Sequence, residues 1–252
     1  MTELTVFNSL LVAWFVLGAV VFTLLFFVAA PYGRHIRKGW GLTLDNRLGW
    51  ILMEAPSPVI FFICFLLGGR TSAVGLAFLV LWEAHYLHRA FIYPFTLRGE
   101  SKRMPAAVMS LGLLFNIMNG YLNGRYIFTF SSGYATGWLT DPRFIVGVAL
   151  FVVGFVVNRQ ADTVLRGLRK PGESGYRISH HFLYRWVSSP NYLGEILIWT
   201  GWALATWSLP GLAFAFWTAA NLVPRARAHH AWYRRTFPGY PPSRKALVPG
   251  LW

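Results

Sequence analysis

The chain has 252 residues, 55% of them hydrophobic and 13% charged, about half the charged fraction of a soluble globular protein, which is roughly 25%. This excludes an ordinary soluble domain, a disordered segment and a collagen-like repeat, and with Cys64 as the sole cysteine no disulfide can form within the chain. The net charge of +14 raises nucleic-acid binding as a first idea. The charge distribution argues for a membrane instead: Lys and Arg are absent before Arg34 and then gather between apolar stretches, as loops on one side of a bilayer do.

A helix needs about 20 apolar residues to cross the hydrocarbon core. Seven stretches qualify in chain order: Val6 to Ala30, Leu48 to Gly68, Ser72 to Leu97, Pro105 to Phe130, Phe144 to Leu168, Pro190 to Trp207 and Pro210 to Leu222, the last continuing as a polar helix towards Phe237. The first lacks the basic start of a signal peptide and is too long for one, so it reads as a retained span. Of the 23 Lys and Arg, all but Arg70, Arg125 and Arg143 fall in the loops 31–47, 98–104 and 169–189, in the C-terminal tail, or at the helix ends that feed them. The positive-inside rule makes that face cytoplasmic. The expectation is an all-α multi-pass membrane protein with seven transmembrane helices in a single domain, 1–252, its N-terminus outside and its C-terminus cytoplasmic. The bilayer is its partner, as the bacterial inner membrane or the endoplasmic reticulum, and no nucleic acid is expected.

Ionisable residues inside such spans are costly and tend to be functional. Glu54 falls about 10 Å below the start of the second span at 1.5 Å per residue. Two readings stand for it: a neutral acid bonded to a neighbouring helix, or a group at a site, which the distorting Pro56 and Pro58 favour. Tyr86, Arg89 and Tyr93 share a helix face at i, i+3 and i+7, with an aromatic belt as the alternative for Tyr93. His85 and His88 have no accompanying third ligand, so no metal is expected.

The fifth span carries Asn158, Asp162 and Arg169 at i, i+4 and i+11, with Arg166 close by. An amide, a carboxylate and guanidiniums on one stripe suit a nucleotide, while Asp162 paired with Arg166 is the structural alternative. After the loop Pro171 to Arg177, Ser189 reads as an N-cap and Pro190 as the first helical residue, a helix start that favours an anion. Asn191 and Glu195 follow on one face. Arg225, His229 and Tyr233, at i, i+4 and i+8, form a third polar stripe that a snorkelling helix end explains only in part. No G-x-G-x-x-G or Walker loop is present, so a nucleotide would be held inside the helical bundle. Gly120 and Gly124 have the spacing of a close helix contact.

The string Trp138 to Arg143, the run Leu165 to Glu173, the segment Asn191 to Glu195, and the stretches Ala203 to Pro210 and Tyr240 to Pro249 together resemble the steroid 5-alpha-reductases. The likeness extends over the chain and is strongest from residue 138 onward. It implies NADPH-dependent reduction of the 4,5 double bond of a 3-oxo-4-ene steroid, with hydride delivered to C5, in a seven-helix protein. By the same resemblance, Glu54 and Tyr86 would hold the 3-oxo group, a protonated or proton-sharing Glu54 acting through Tyr86 on the carbonyl. Arg89, Tyr93, Asn158, Asp162, Arg169, Tyr176, Arg177, Asn191, Glu195, Arg225, His229 and Tyr233 would surround the cofactor, most of that site lying in 138–252. No role is carried over to Lys102 or Arg103, because the loop from Arg98 to Pro105 differs in length and charge order. A sterol or enoyl-CoA reductase is the nearest alternative. A membrane S-adenosylmethionine-dependent methyltransferase of the isoprenylcysteine type is the next, against which Ala228 to Trp232 lacks the paired glutamates of those enzymes. The resemblance implies a steroid substrate and no required protein partner.

Overall fold

The structure is a computed structural model and describes residues 2–28, 41–97, 103–168 and 175–252. Described helices occupy each of the seven expected positions. They are α1 (Glu3–Phe27), α2 (Asn46–Glu54), α3 (Pro56–Leu67), α4 (Ala73–Leu87), α5 (Tyr93–Thr96), α6 (Ala106–Arg125), α7 (Pro142–Gly167), α8 (Pro190–Thr206) and α9 (Leu209–Thr236). A short antiparallel pair, β1 (Thr43–Asp45) and β2 (Arg103–Pro105), sets Leu44 opposite Met104. Among the described residues, three helical stretches are long and apolar enough to cross a membrane: Glu3–Phe27, Asn46–Leu67 and Pro142–Gly167. The sequences of α6, α8 and α9 are diluted by polar side chains such as Asn116, Asn119, Glu195 and Arg225.

The second expected span differs from a continuous helix. It breaks at Ala55 into α2 and α3, because Pro56 and Pro58 have no N–H to offer the carbonyls of Leu52 and Glu54. In the third span, α4 runs into a π-helical turn at His88–Ile92, closed by the Tyr93 N–H on the His88 carbonyl. Pro94 likewise denies a donor to the carbonyl of Ala90, and the wider turn re-aims Arg89. The Trp207 backbone is left-handed, with φ 44°, and ends α8. Ser208 then caps α9 by accepting from the Gly211 N–H at 3.1 Å. Before α7, Asp141 accepts from the Arg143 backbone and side chain, and these bonds hold its carboxyl down at about 2.

The chain gathers into two compact units, Met1–Leu11 with Pro31–Ile145, and Val12–Ala30 with Val146–Trp252. In the first, α3 packs on α6, and the glycines noted in the sequence are the reason. A Cβ on Gly120 would lie 3.1 Å from the Ser57 carbonyl oxygen, and one on Gly124 would lie 2.7 Å from Cys64 Cβ. Phe61 stacks on Trp82 at 4.5 Å, 9° from parallel. In the second unit α7 and α8 touch backbone to backbone. A Cβ on Gly154 would come 2.6 Å from the Gly194 carbonyl oxygen, and one on Gly147 would come 2.6 Å from that of Gly201. Each helix thus carries two contact glycines seven residues apart, two turns on one face. Trp217 donates its indole N–H to the Trp14 carbonyl at 3.0 Å.

Candidate active site

The first unit buries a polar cluster around Glu54, which is 5% exposed. Arg89, delivered by the π-turn, donates from Nε to Glu54 Oε1 at 3.1 Å. Asn116 of α6 reaches Glu54 Oε2 at 3.5 Å and donates to the Met53 carbonyl at 2.9 Å. Arg89 also lies 5.0 Å over the Trp50 ring, and Tyr93 meets the other side of the cluster edge-on to Trp50 at 5.2 Å. Arg89 and Tyr93, which the resemblance puts with the cofactor, are therefore held together with Glu54.

Tyr86 is buried near the end of α4, three residues before Arg89 in sequence. Its ring leans on Trp82 at 5.1 Å and its hydroxyl accepts from Asn119 Nδ2 at 3.4 Å. Asn123 donates to both the side-chain and the backbone oxygen of Asn119, each at 3.1 Å. Asn116, Asn119 and Asn123 form an asparagine ladder on one face of α6 that the sequence reading missed. Their i, i+3, i+7 spacing in an apolar span was the available signal.

The second unit assembles the other stripes. Asn158 Nδ2 donates to Glu195 Oε2 and to the Asn191 carbonyl, both at 3.0 Å, and Asn191 Nδ2 donates to Asp162 Oδ1 at 3.2 Å. Trp199 Nε1 donates to the other oxygen of Glu195 at 3.1 Å. The glycine contact between α7 and α8 brings Asn158 and Glu195 within hydrogen-bond reach. On α9, Arg225 Nε donates to the Tyr192 hydroxyl at 2.8 Å, and the His229 ring lies 5.5 Å from the Tyr192 ring. Tyr192 thus joins two of the predicted residues and was itself overlooked. Tyr233 stacks on Tyr240 at 5.3 Å, Tyr176 is exposed with its ring 5.0 Å from Trp232, and Arg177 is exposed. Arg169 lies outside the described residues. Arg166 donates to Thr163 Oγ1 at 2.8 Å.

The helix start at Pro190 is as expected, but Ser189 does not cap it: its hydroxyl is buried and makes no hydrogen bond. The neighbouring Ser188 is the busier residue. Its Oγ lies 2.7 Å from His230 Nδ1 and 2.6 Å from the Tyr240 hydroxyl, and it donates to the Lys245 carbonyl. The C-terminal tail is thereby tied to the start of α8, and Ser188 N–H on the Lys245 carbonyl and Lys245 N–H on the Trp186 carbonyl, both 2.9 Å, tighten the tie. His230 lies in the polar extension of α9 beyond the last apolar stretch, and burial pushes its pKa below the ordinary value, helped by Arg234, Arg244 and Lys245. Among the described residues no group of His, Cys, Asp and Glu is arranged to hold a metal ion.

The donor set of the second unit suits a phosphorylated nucleotide. Asp162 and Glu195 are acceptors for ribose hydroxyls or an amide, Asn158 and Asn191 provide both donors and acceptors, and Arg225 provides a cation for phosphate. The family model described as 3-oxo-5-alpha-steroid 4-dehydrogenase matches residues 102–252. The chain is 40% identical to 3-oxo-5-alpha-steroid 4-dehydrogenase 1 of Bos taurus, with 93% of each chain covered. It is 41% identical to the protein of the same name from Homo sapiens, over 87% of this chain and 85% of the relative. It is 38% identical to steroid 5-alpha-reductase DET2 of Gossypium hirsutum, over 100% and 99%.

Proposed function

Because the chain belongs to the 3-oxo-5-alpha-steroid 4-dehydrogenase family, we propose that it uses NADPH to reduce the 4,5 double bond of 3-oxo-4-ene steroids to 5-alpha products. The observation that carries the reading is the ion pair of buried Glu54 with half-buried Arg89, tied by Asn116 to the same helix, α6, whose Asn119 donates to the buried Tyr86 hydroxyl, polar groups that a chain with no polar ligand has no reason to keep at membrane depth. We place the protein in a bilayer with seven crossings and its basic face in the cytoplasm, where NADPH is available.

Asn158, Asp162, Asn191, Glu195, Arg225, His229 and Tyr233, together with Arg169, Tyr176 and Arg177, would hold NADPH, which when bound would supply hydride to C5. Negative charge then develops on the 3-oxygen and must be met by a donor. The Tyr86 hydroxyl accepts from Asn119, which polarises its own O–H towards such an oxygen. Glu54 accepts from Arg89 and Asn116, so its carboxylate orients donors at the carbonyl and the proton given to the oxygen comes from Tyr86. Protonation at C4 from water or a nearby acid, with the proton lent to the 3-oxygen returning to Tyr86 as the enol becomes the ketone, would complete the reaction.

The test is turnover by the purified protein with NADPH and a panel of 3-oxo-4-ene steroids. Formation of 5-alpha product, with NADPH preferred to NADH and that preference lost in Arg169→Leu, supports the reading. Binding of S-adenosylmethionine in place of NADPH would overturn it, as would reduction confined to other sterols or enoyl thioesters. Glu54→Gln and Tyr86→Phe retaining full turnover would remove those residues from the mechanism.

A further inference from the structure

Every residue of the asparagine ladder on α6 is buried, Asn116 to 5% exposure and Asn119 and Asn123 to 1% each. Three amides in the middle of a helix cost stability unless their hydrogen bonds are made, so their presence calls for a purpose. The pattern of bonds supplies one. An amide side chain has one donating and one accepting end, and which end faces a neighbour is set by its other partners. Asn119 Oδ1 accepts from Asn123 Nδ2, so its NH2 end is turned to the Tyr86 oxygen. Asn123 is anchored in turn by donating to the Asn119 backbone carbonyl one turn back.

We propose that Asn119, locked by Asn123, is a positioning residue that makes the Tyr86 hydroxyl a hydrogen-bond donor towards its ligand. With the amide flipped, Tyr86 would donate to Asn119 Oδ1, and its one proton would no longer be offered to the substrate oxygen. Asn116 does the matching task for Glu54: it donates to Oε2 while Arg89 takes Oε1, so both oxygens of the carboxylate have fixed partners. The ladder thereby assigns one donor and one acceptor to two side chains on different helices. This inference rests on the reductase reading for its catalytic consequence, although the hydrogen-bond polarity exists independently of any reaction.

Two variants test it, Asn119→Leu, which removes the donor, and Asn123→Leu, which removes the bond that orients the Asn119 amide. Each is compared with the wild type for steroid turnover and by 13C NMR of protein labelled at the tyrosine Cζ, with the Tyr86 resonance identified through Tyr86→Phe. In both variants kcat is expected to fall about tenfold, the lower end of what a lost oxyanion donor costs because the effect is indirect, with KM for NADPH unchanged. The Tyr86 resonance is expected to shift in both. Asn123→Ser, whose hydroxyl can still donate to Asn119, should recover part of the rate. An unmoved Tyr86 resonance in Asn123→Leu, or kcat within about twofold of wild type in both variants, would overturn the proposal. A wild-type protein that turns over no 3-oxo-4-ene steroid would count against the reductase reading, and the NMR comparison would still decide the ladder.

Discussion

Arg89 Nε stands 3.1 Å from Glu54 Oε1 although the residues are 35 apart in sequence. Neither helix is regular where they meet: Glu54 closes α2 at the proline break, and Arg89 sits in the π-turn that follows α4. The side chains are 7% and 26% exposed respectively. Removing one member of such a pair strands the other charge in a poorly solvated place.

Arg89→Met is therefore expected to destabilise the protein by roughly 3 kcal/mol, at the low end for a buried pair because Arg89 keeps some solvent. Adding Glu54→Met should recover much of that loss, since two apolar groups leave no orphaned charge. Thermal unfolding in detergent of both single variants and the double variant gives the coupling. Additive losses would mean that the pair contributes nothing as a pair.

The α7–α8 contact tolerates no added carbon. Gly154→Ala would set a methyl 2.6 Å from the Gly194 carbonyl oxygen and from the Ile198 backbone nitrogen, and backbone cannot swing aside as a side chain does. The helices must separate, at a cost of about 3 kcal/mol or more, which would stretch the Asn158–Glu195 and Asn158–Asn191 bonds. NADPH affinity should fall together with the midpoint of thermal unfolding, whereas Gly167→Ala, which meets nothing within 4 Å, should leave affinity unchanged.

His230 predicts an acid-sensitive tail. Its folded pKa lies below the ordinary 6.5 through burial and the facing cations Arg234, Arg244 and Lys245, while Ser188 and Tyr240 form its neutral hydrogen-bonding environment. The unfolded chain therefore binds the proton more readily, so stability begins to fall as pH drops below about 6.5 and keeps falling towards the folded value. The unfolding midpoint, compared between about pH 8 and pH 5, should drop further in the wild type than in His230→Gln.

The proposed seven-crossing arrangement makes its own forecast. Cys64 is buried and is the single cysteine in the chain, so a Cys64→Ser background permits one reporter thiol at a time. A cysteine at Thr2 or Gly69 should react with an impermeant maleimide added to intact cells, and one at Arg235 or Gly250 should react only after the membrane is opened. Labelling of both ends from the same side would require an even number of crossings.

Much of this was written in the sequence. Apolar run length placed helices at the seven positions within a few residues, because a segment with so few charges has little choice but to satisfy its backbone locally. Residues a helical turn apart, such as Asn158 with Asp162 or Arg225 with His229, could be grouped because helix geometry is the same everywhere. The long runs from residue 138 onward carried the family.

Tertiary structure alone decided the partners. That Arg89 meets Glu54, that Asn158 meets Glu195, and that Asn119 rather than another amide faces Tyr86 depend on which helices approach and how closely. Such approach is set by glycines such as Gly120, Gly154 and Gly194 and by breaks at Pro56 and the turn before Pro94, whose effect lies in what they admit from another part of the chain. A periodic pattern fixes a side chain's direction about its own axis. Which atom waits in that direction is determined only when a second helix packs against it.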